Sequence, residues 1–155
     1  QNLKASEYAK KSIDELFSPS IFENSIMKKS TISETIIAVN DGDWKFSIRK
    51  LPSRVQLSCV CGIVCSDINN DGHLDIIMAG NNFEFKPQYS RLDANYGSIL
   101  LGDGKLGFTW QDYNTSGFVI KNEVKHLNII KDKKGKIYLI AAINNESPKL
   151  FLINE

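Results

Sequence analysis

Between Thr31 and Asn154 the chain is a series of short apolar runs cut by polar turns: ETIIAVN, DWKFSIRKL, VQLSCVCGIVC, LDIIMAG, YGSILLG, GFTWQDY, VKHLNII, KIYLIAA and KLFLIN. Runs of this length, rich in Val, Ile, Phe and Tyr, predict β-strands. Asp-Gly, Asn-Asp-Gly and Lys-Lys-Gly lie between them, the chemistry of tight turns that need positive φ, so successive strands should pair as an antiparallel meander. The N-terminal residues follow a different period. Leu3, Tyr8, Ala9, Ile13, Leu16 and Phe17 fall near helical spacing and predict a helix over 3–17, stopped at Ser18-Pro19. A second short helix is predicted around 21–29. The chain therefore reads as an N-terminal helical segment, 1–30, followed by a β region, 31–155, in a single domain overall.

The strand pattern repeats. TIIAVNDGDWKF, 35–46, matches SILLGDGKLGF, 98–108, as an apolar strand, a Gly-Asp turn and a strand that opens on phenylalanine. NDGHLDIIMAGNN, 70–82, matches KKGKIYLIAAINN, 133–145, with Gly72 and Gly135 about 63 residues apart. KLFLINE at the end echoes TIIAVND. One period carried by independent features points to a mainly β fold made of antiparallel four-stranded blades of a β-propeller. About two and a half repeats are present, so the ring is incomplete. Its edges must be left open, capped by the helical segment, or matched by another copy or by further blades of a longer chain.

With 155 residues, 42% of them hydrophobic, the chain can bury one core. Nineteen basic against 18 acidic residues leave a formal charge of +1, which offers no nucleic-acid footprint. No apolar run approaches the roughly 20 residues of a membrane-spanning helix. Gln1 carries no signal core, which reads as a processed or partial chain. Cys59, Cys61 and Cys65 share one strand-like run and are expected to be buried thiols. Trp44 and Trp110 flank equivalent turns and are expected to pack between blades, and His126 alternates with apolar residues in a structural position.

The densest chemistry lies in DINNDGHLD. Asp67, Asn69, Asp71 and Asp75 occupy positions 1, 3, 5 and 9, with Gly72 at position 6, and the His73 carbonyl is available at position 7. Hard oxygen donors at alternate positions suit Ca²⁺, which takes 6–8 oxygens. An EF-hand would need an acid at position 12, where Met78 stands inside a strand. A metal-free Asx turn would explain the glycine but not Asp67 and Asp75. A glycosidase pair is disfavoured, because acids in one loop converge on a point and leave no room for a sugar. Lys134 and Tyr138 replace Asp71 and Asp75 in the next repeat, which should be calcium-free.

The loop DINNDGHLDIIMAG followed by YGSILLGDGKLGF resembles the FG-GAP or VCBS repeats of integrin-alpha-like β-propellers, and residues 34–155 resemble the C-terminal part of exported bacterial VCBS-repeat proteins. The resemblance implies Ca²⁺ on Asp67, Asn69, Asp71 and Asp75 in an extracytoplasmic (secreted, periplasmic or cell-surface) protein. It implies a non-enzymatic module serving adhesion, protein binding or assembly. The alternative is an accessory module that binds surface glycan for an enzyme or uptake system. The insert 81–97, with Phe83, Phe85, Tyr89, Arg91 and Tyr96, is the candidate partner-binding loop, since aromatics beside an arginine suit recognition. The favoured reading of those aromatics is that they tuck over the sheet and cap its end, with the loop the best candidate for a partner surface.

Overall fold

The computed structural model describes residues 4–84 and 90–153. The chain divides into two units, Gln1–Ser33 and Glu34–Glu155.

The first unit holds three single-turn helices, α1 (Ala5–Tyr8), α2 (Ile13–Leu16) and α3 (Pro19–Glu23). The predicted helix over 3–17 is broken, and the one expected at 21–29 is displaced to α3. Ser12 restarts the chain: its N–H donates to Glu15 Oε2 at 2.7 Å, which begins a new first turn. Pro19 likewise opens a helix at its first position, where its missing N–H costs nothing. None of the three helices buries a residue, and helices this short lack the packing that would fuse them.

The second unit is mainly β, as the apolar runs predict. Its strands are β1 (Ile36–Gly42), β2 (Lys45–Lys50), β3 (Val60–Ser66), β4 (Asp75–Gly80), β5 (Ser98–Gly102), β6 (Phe108–Trp110), β7 (Val124–Lys131), β8 (Ile137–Ile143) and β9 (Lys149–Ile153). They form three sheets, β1-β2, β3-β4-β5-β6 and β7-β8-β9, with every neighbouring pair antiparallel and consecutive in the chain. Two predicted strand runs are trimmed. A 3-10 turn takes Ser53–Gln56, and a short helix, α4 (Tyr113–Ser116), follows β6.

The middle sheet is covered on both faces. Ile77 and Ala79 of β4 join Val124, Leu127, Leu139 and Ala141 of the third sheet in one core. Ile76 and Met78, alternating with them, join Leu51, Val55 and Leu100 in a second core that also takes Ile37 of β1. Every residue of β4 is buried. A strand covered on both faces needs no polar alternation, which is why DIIMAG reads as a continuous apolar run.

The β3–β4 and β7–β8 ladders share their irregularities. The register slips between Val60 and Gly62 in β3 and between Val124 and His126 in β7, opposite the last residues of β4 and β8. At the other end Ser66 faces Asp75 and Ile130 faces Tyr138. Asp75 and Tyr138 thus hold the same place.

The slip also changes the expectation for the cysteines. It breaks the alternation of β3, and Cys61 and Cys65 are exposed while Cys59 is half-buried. The adjoining first sheet has only two strands, so Ile63 beside them is exposed as well. Trp110 does pack, with its ring edge-on to Tyr113 and Arg54 over its face. Trp44 does not: it is 96% exposed at the tip of the β1–β2 turn, at positive φ. His126 lies exposed on β7.

Candidate metal centre

Residues 67–74 join β3 to β4. Asp67 wraps the loop by accepting backbone N–H groups across it, from Asp71 to Oδ1 at 3.1 Å and from Gly72 to Oδ2 at 2.9 Å. Asn69 Oδ1 accepts from the same Asp71 N–H at 3.2 Å. Asp71 Oδ1 accepts from His73 N–H at 2.8 Å, and its Oδ2 accepts from Asn69 Nδ2 at 2.8 Å. The Asn69 amide, then the His73 backbone N–H, hold the Asp71 carboxyl below the usual carboxylate range. Asn70 and Gly72 both take positive φ, as the turn chemistry predicts.

Asp75 differs from these three. Its carboxylate is fully buried, with Oδ2 accepting from Ile68 N–H at 3.0 Å and Oδ1 from Gly102 N–H at 2.9 Å. It therefore ties the metal-candidate loop to the end of β5. Among the described residues no basic side chain forms an ion pair with it. Two N–H groups occupy about half of the roughly four lone-pair sites of a carboxylate, and its charge is left without a cationic counterpart.

The loop thus gathers Asp67, Asn69, Asp71 and the His73 carbonyl on one turn, with Asp75 at its base. Among the described residues no set of three or more His, Cys, Asp or Glu side chains already converges as a metal-holding group. Asp67 and Asp75 instead have backbone roles that a sequence pattern does not reveal. The donor chemistry still fits a hard divalent cation, since every side-chain ligand offered is oxygen.

The insert after β4 is closed at its base. Asn82 and Leu92 exchange backbone hydrogen bonds at 2.8 and 2.9 Å. Asn81, fully buried at positive φ, accepts from Asn95 N–H at 3.0 Å and donates to Asn95 O at 2.7 Å. Within the insert, the Arg91 guanidinium lies 3.9 Å from the Phe83 ring centroid and pairs with Asp93 at 3.1 Å. Tyr96 belongs to another cluster, tilted against Tyr113 with Lys121 over its face. Phe85 and Tyr89 lie outside the described residues.

The matching runs 70–82 and 133–145 both end on paired asparagines, just after β4 and β8. Their task is structural. Asn144, the counterpart of Asn81, donates to Glu123 Oε2 at 3.0 Å, and Glu123 also accepts from Lys125 Nζ at 2.6 Å. The Lys125 ammonium, then the Asn144 amide, hold the buried Glu123 carboxyl below its ordinary value. No helix of the described residues is long and apolar enough to cross a membrane. No family model, curated protein or solved structure matches the chain.

Proposed function

We propose that the chain is a calcium-binding, non-enzymatic module of FG-GAP/VCBS β-propeller type from an exported or cell-surface protein, serving adhesion, protein binding or assembly. The observation that carries the metal is Asp75. A carboxylate with no solvent exposure and, among the described residues, no basic partner, beside two further acids, carries a charge that a divalent ion would offset. Asp67, Asn69, Asp71 and Asp75 would hold Ca²⁺ through side-chain oxygens, and His73 through its carbonyl. The ion supplies charge neutralisation and a stiffer β3–β4 turn. Three consecutive antiparallel sheets, stacked face to face with a shared ladder register, support the propeller type.

The test is thermal unfolding with calcium and with chelator. At a calcium concentration about a hundredfold above Kd, the folded state gains about 2.7 kcal/mol, and the chelated sample loses that gain. Asp71→Ala, an exposed change, should abolish the response while the chelated melting temperature moves little. Identical melts of the wild-type chain in calcium and chelator would overturn the metal assignment.

A further inference from the structure

We propose that the outer face of the third sheet docks head-to-tail on the outer face of the first sheet of a second copy of this chain. The inference stands on the packing of the sheets and holds whether or not calcium binds.

The middle sheet presents one face to the first sheet and the opposite face to the third, and equivalent ladder positions face the same way in each sheet. Ile76 and Met78 of the middle sheet face the first sheet, and Leu139 and Ala141, which hold the same ladder positions, face the middle sheet. On β5, Ile99 faces the third sheet while Leu100, with Trp110 opposite it, faces the first. β1 obeys the same rule: Ile37 faces the middle sheet, so Ala38 and its partner Ile48 point the other way.

The two faces left over are therefore a matched pair. The first sheet turns Ala38, Phe46 and Ile48 outward, and Phe46 and Ile48 hold the places that Phe108 and Trp110 fill against the first sheet from the middle one. The third sheet turns Ile140, Leu150 and Leu152 outward, while Phe151 and Ile153 between them pack inward. Phe46 is 58% exposed and Leu150 60%; the opposite side of β2 carries Lys45, Ser47 and Arg49, while that of β9 carries Phe151 and Ile153 against the core. Ile140, Leu150 and Leu152 are uncharged, and on the first sheet the outward side of β2 ends on Lys50, which pairs with Glu34. An outward third-sheet face meeting an outward first-sheet face repeats the arrangement already made twice inside the chain.

The rule also fixes the symmetry. Preceding faces meet following faces and never each other, so the contact is heterologous and joins copies head to tail. Joining by strand edges is disfavoured, because β9 and β1 both hold the third place of a four-stranded order and would compete for one position.

Sedimentation velocity of the 155-residue chain tests this with one variant on each face. Ile48→Lys and Leu150→Lys alter exposed side chains, and far-UV circular dichroism checks their fold; Phe46→Lys and Leu152→Lys replace either one that unfolds. The wild-type chain should show concentration-dependent association beyond 17.4 kDa. Each variant alone should sediment as a monomer. An equimolar mixture should form a 1:1 dimer and stop, because only one intact pair of faces remains. A wild-type chain that stays monomeric at its highest soluble concentration would overturn the proposal, as would a variant that self-associates alone or a mixture that stays monomeric.

Discussion

The turn from β3 to β4 and the turn from β7 to β8 occupy the same place in ladders of the same register, yet they are built differently. The second is held by one acid: Asp132 Oδ1 accepts the N–H groups of Lys134 and Lys136 at 2.8 and 2.9 Å. The turn from β5 to β6 uses the same device, with Asp103 Oδ1 accepting from Lys105 and Gly107 at 2.7 and 2.8 Å. One aspartate is therefore what a turn of this kind requires. In the β3–β4 turn Asp67 does that work across a wider loop. Asn69, Asp71 and Asp75 each accept a further N–H of this corner, so it carries three oxygen side chains more than the other two turns use, and that excess marks it as chemically distinct. Where Asp75 is buried, the third sheet has the half-buried Tyr138, which asks for no counter-charge.

The largest effect that separates the two corners should come from Asp75→Ala. It leaves two N–H groups of a buried site without an acceptor, each worth about 1–3 kcal/mol, so a loss of about 3 kcal/mol is expected in denaturant unfolding. Tyr138→Phe, at the matching place, should change stability by less than about 0.5 kcal/mol. Equal losses at the two positions would remove the distinction. Next in size are Gly72→Ala and Gly135→Ala. Both glycines sit at φ near +86° with room for a Cβ, so each change carries the backbone cost alone, about 1–2 kcal/mol. The two losses should agree, because the turns share this residue's conformation even where their ligands differ. Asp132→Ala should cost less, about 1 kcal/mol, since the N–H groups it frees are exposed to water.

How much of this was legible depends on which interaction set each feature. The strands were legible because they are short, bounded by turn residues, and rich in β-branched side chains. Gly72 and Gly135 were legible because positive φ leaves few residue choices. The helix over 3–17 misled, since its apolar residues have helical spacing but no core to pack against. Cys61 and Cys65 misled because a register slip and a two-stranded neighbour decide their exposure, and neither is a local property of the sequence. Trp44 is expected to pack from its repeat position, yet it stands at a turn tip at positive φ, where its ring is 96% exposed. The backbone roles of Asp67 and Asp75 were hidden for a related reason. Their partners include Gly102, 27 residues away, and no local pattern encodes that contact.

The smallest expected effect concerns the opposite ends of β4 and β8, where the same pairing is made with different charge. Asn81 is held by neutral amide and carbonyl groups, whereas Asn144 is held by the Glu123–Lys125 pair. Only the second end should respond to pH. The folded Glu123 value lies below its unfolded one, so its contribution is present above the unfolded glutamate value of about 4.3 and fades as pH falls through the lower folded value. The folded Lys125 value lies above its unfolded one, held up by the Glu123 carboxylate, so its share is present below about 10.4 and fades as pH rises through the higher folded value. Lys125 is half exposed, and solvent screening keeps the effect small. Melting temperatures of the wild-type chain and Glu123→Gln across acid pH should therefore converge as Glu123 becomes protonated. Asn81 variants should run parallel to wild type over the same range. Convergence at Asn81, or parallel curves for Glu123→Gln, would show that the two strand ends are not electrostatically different.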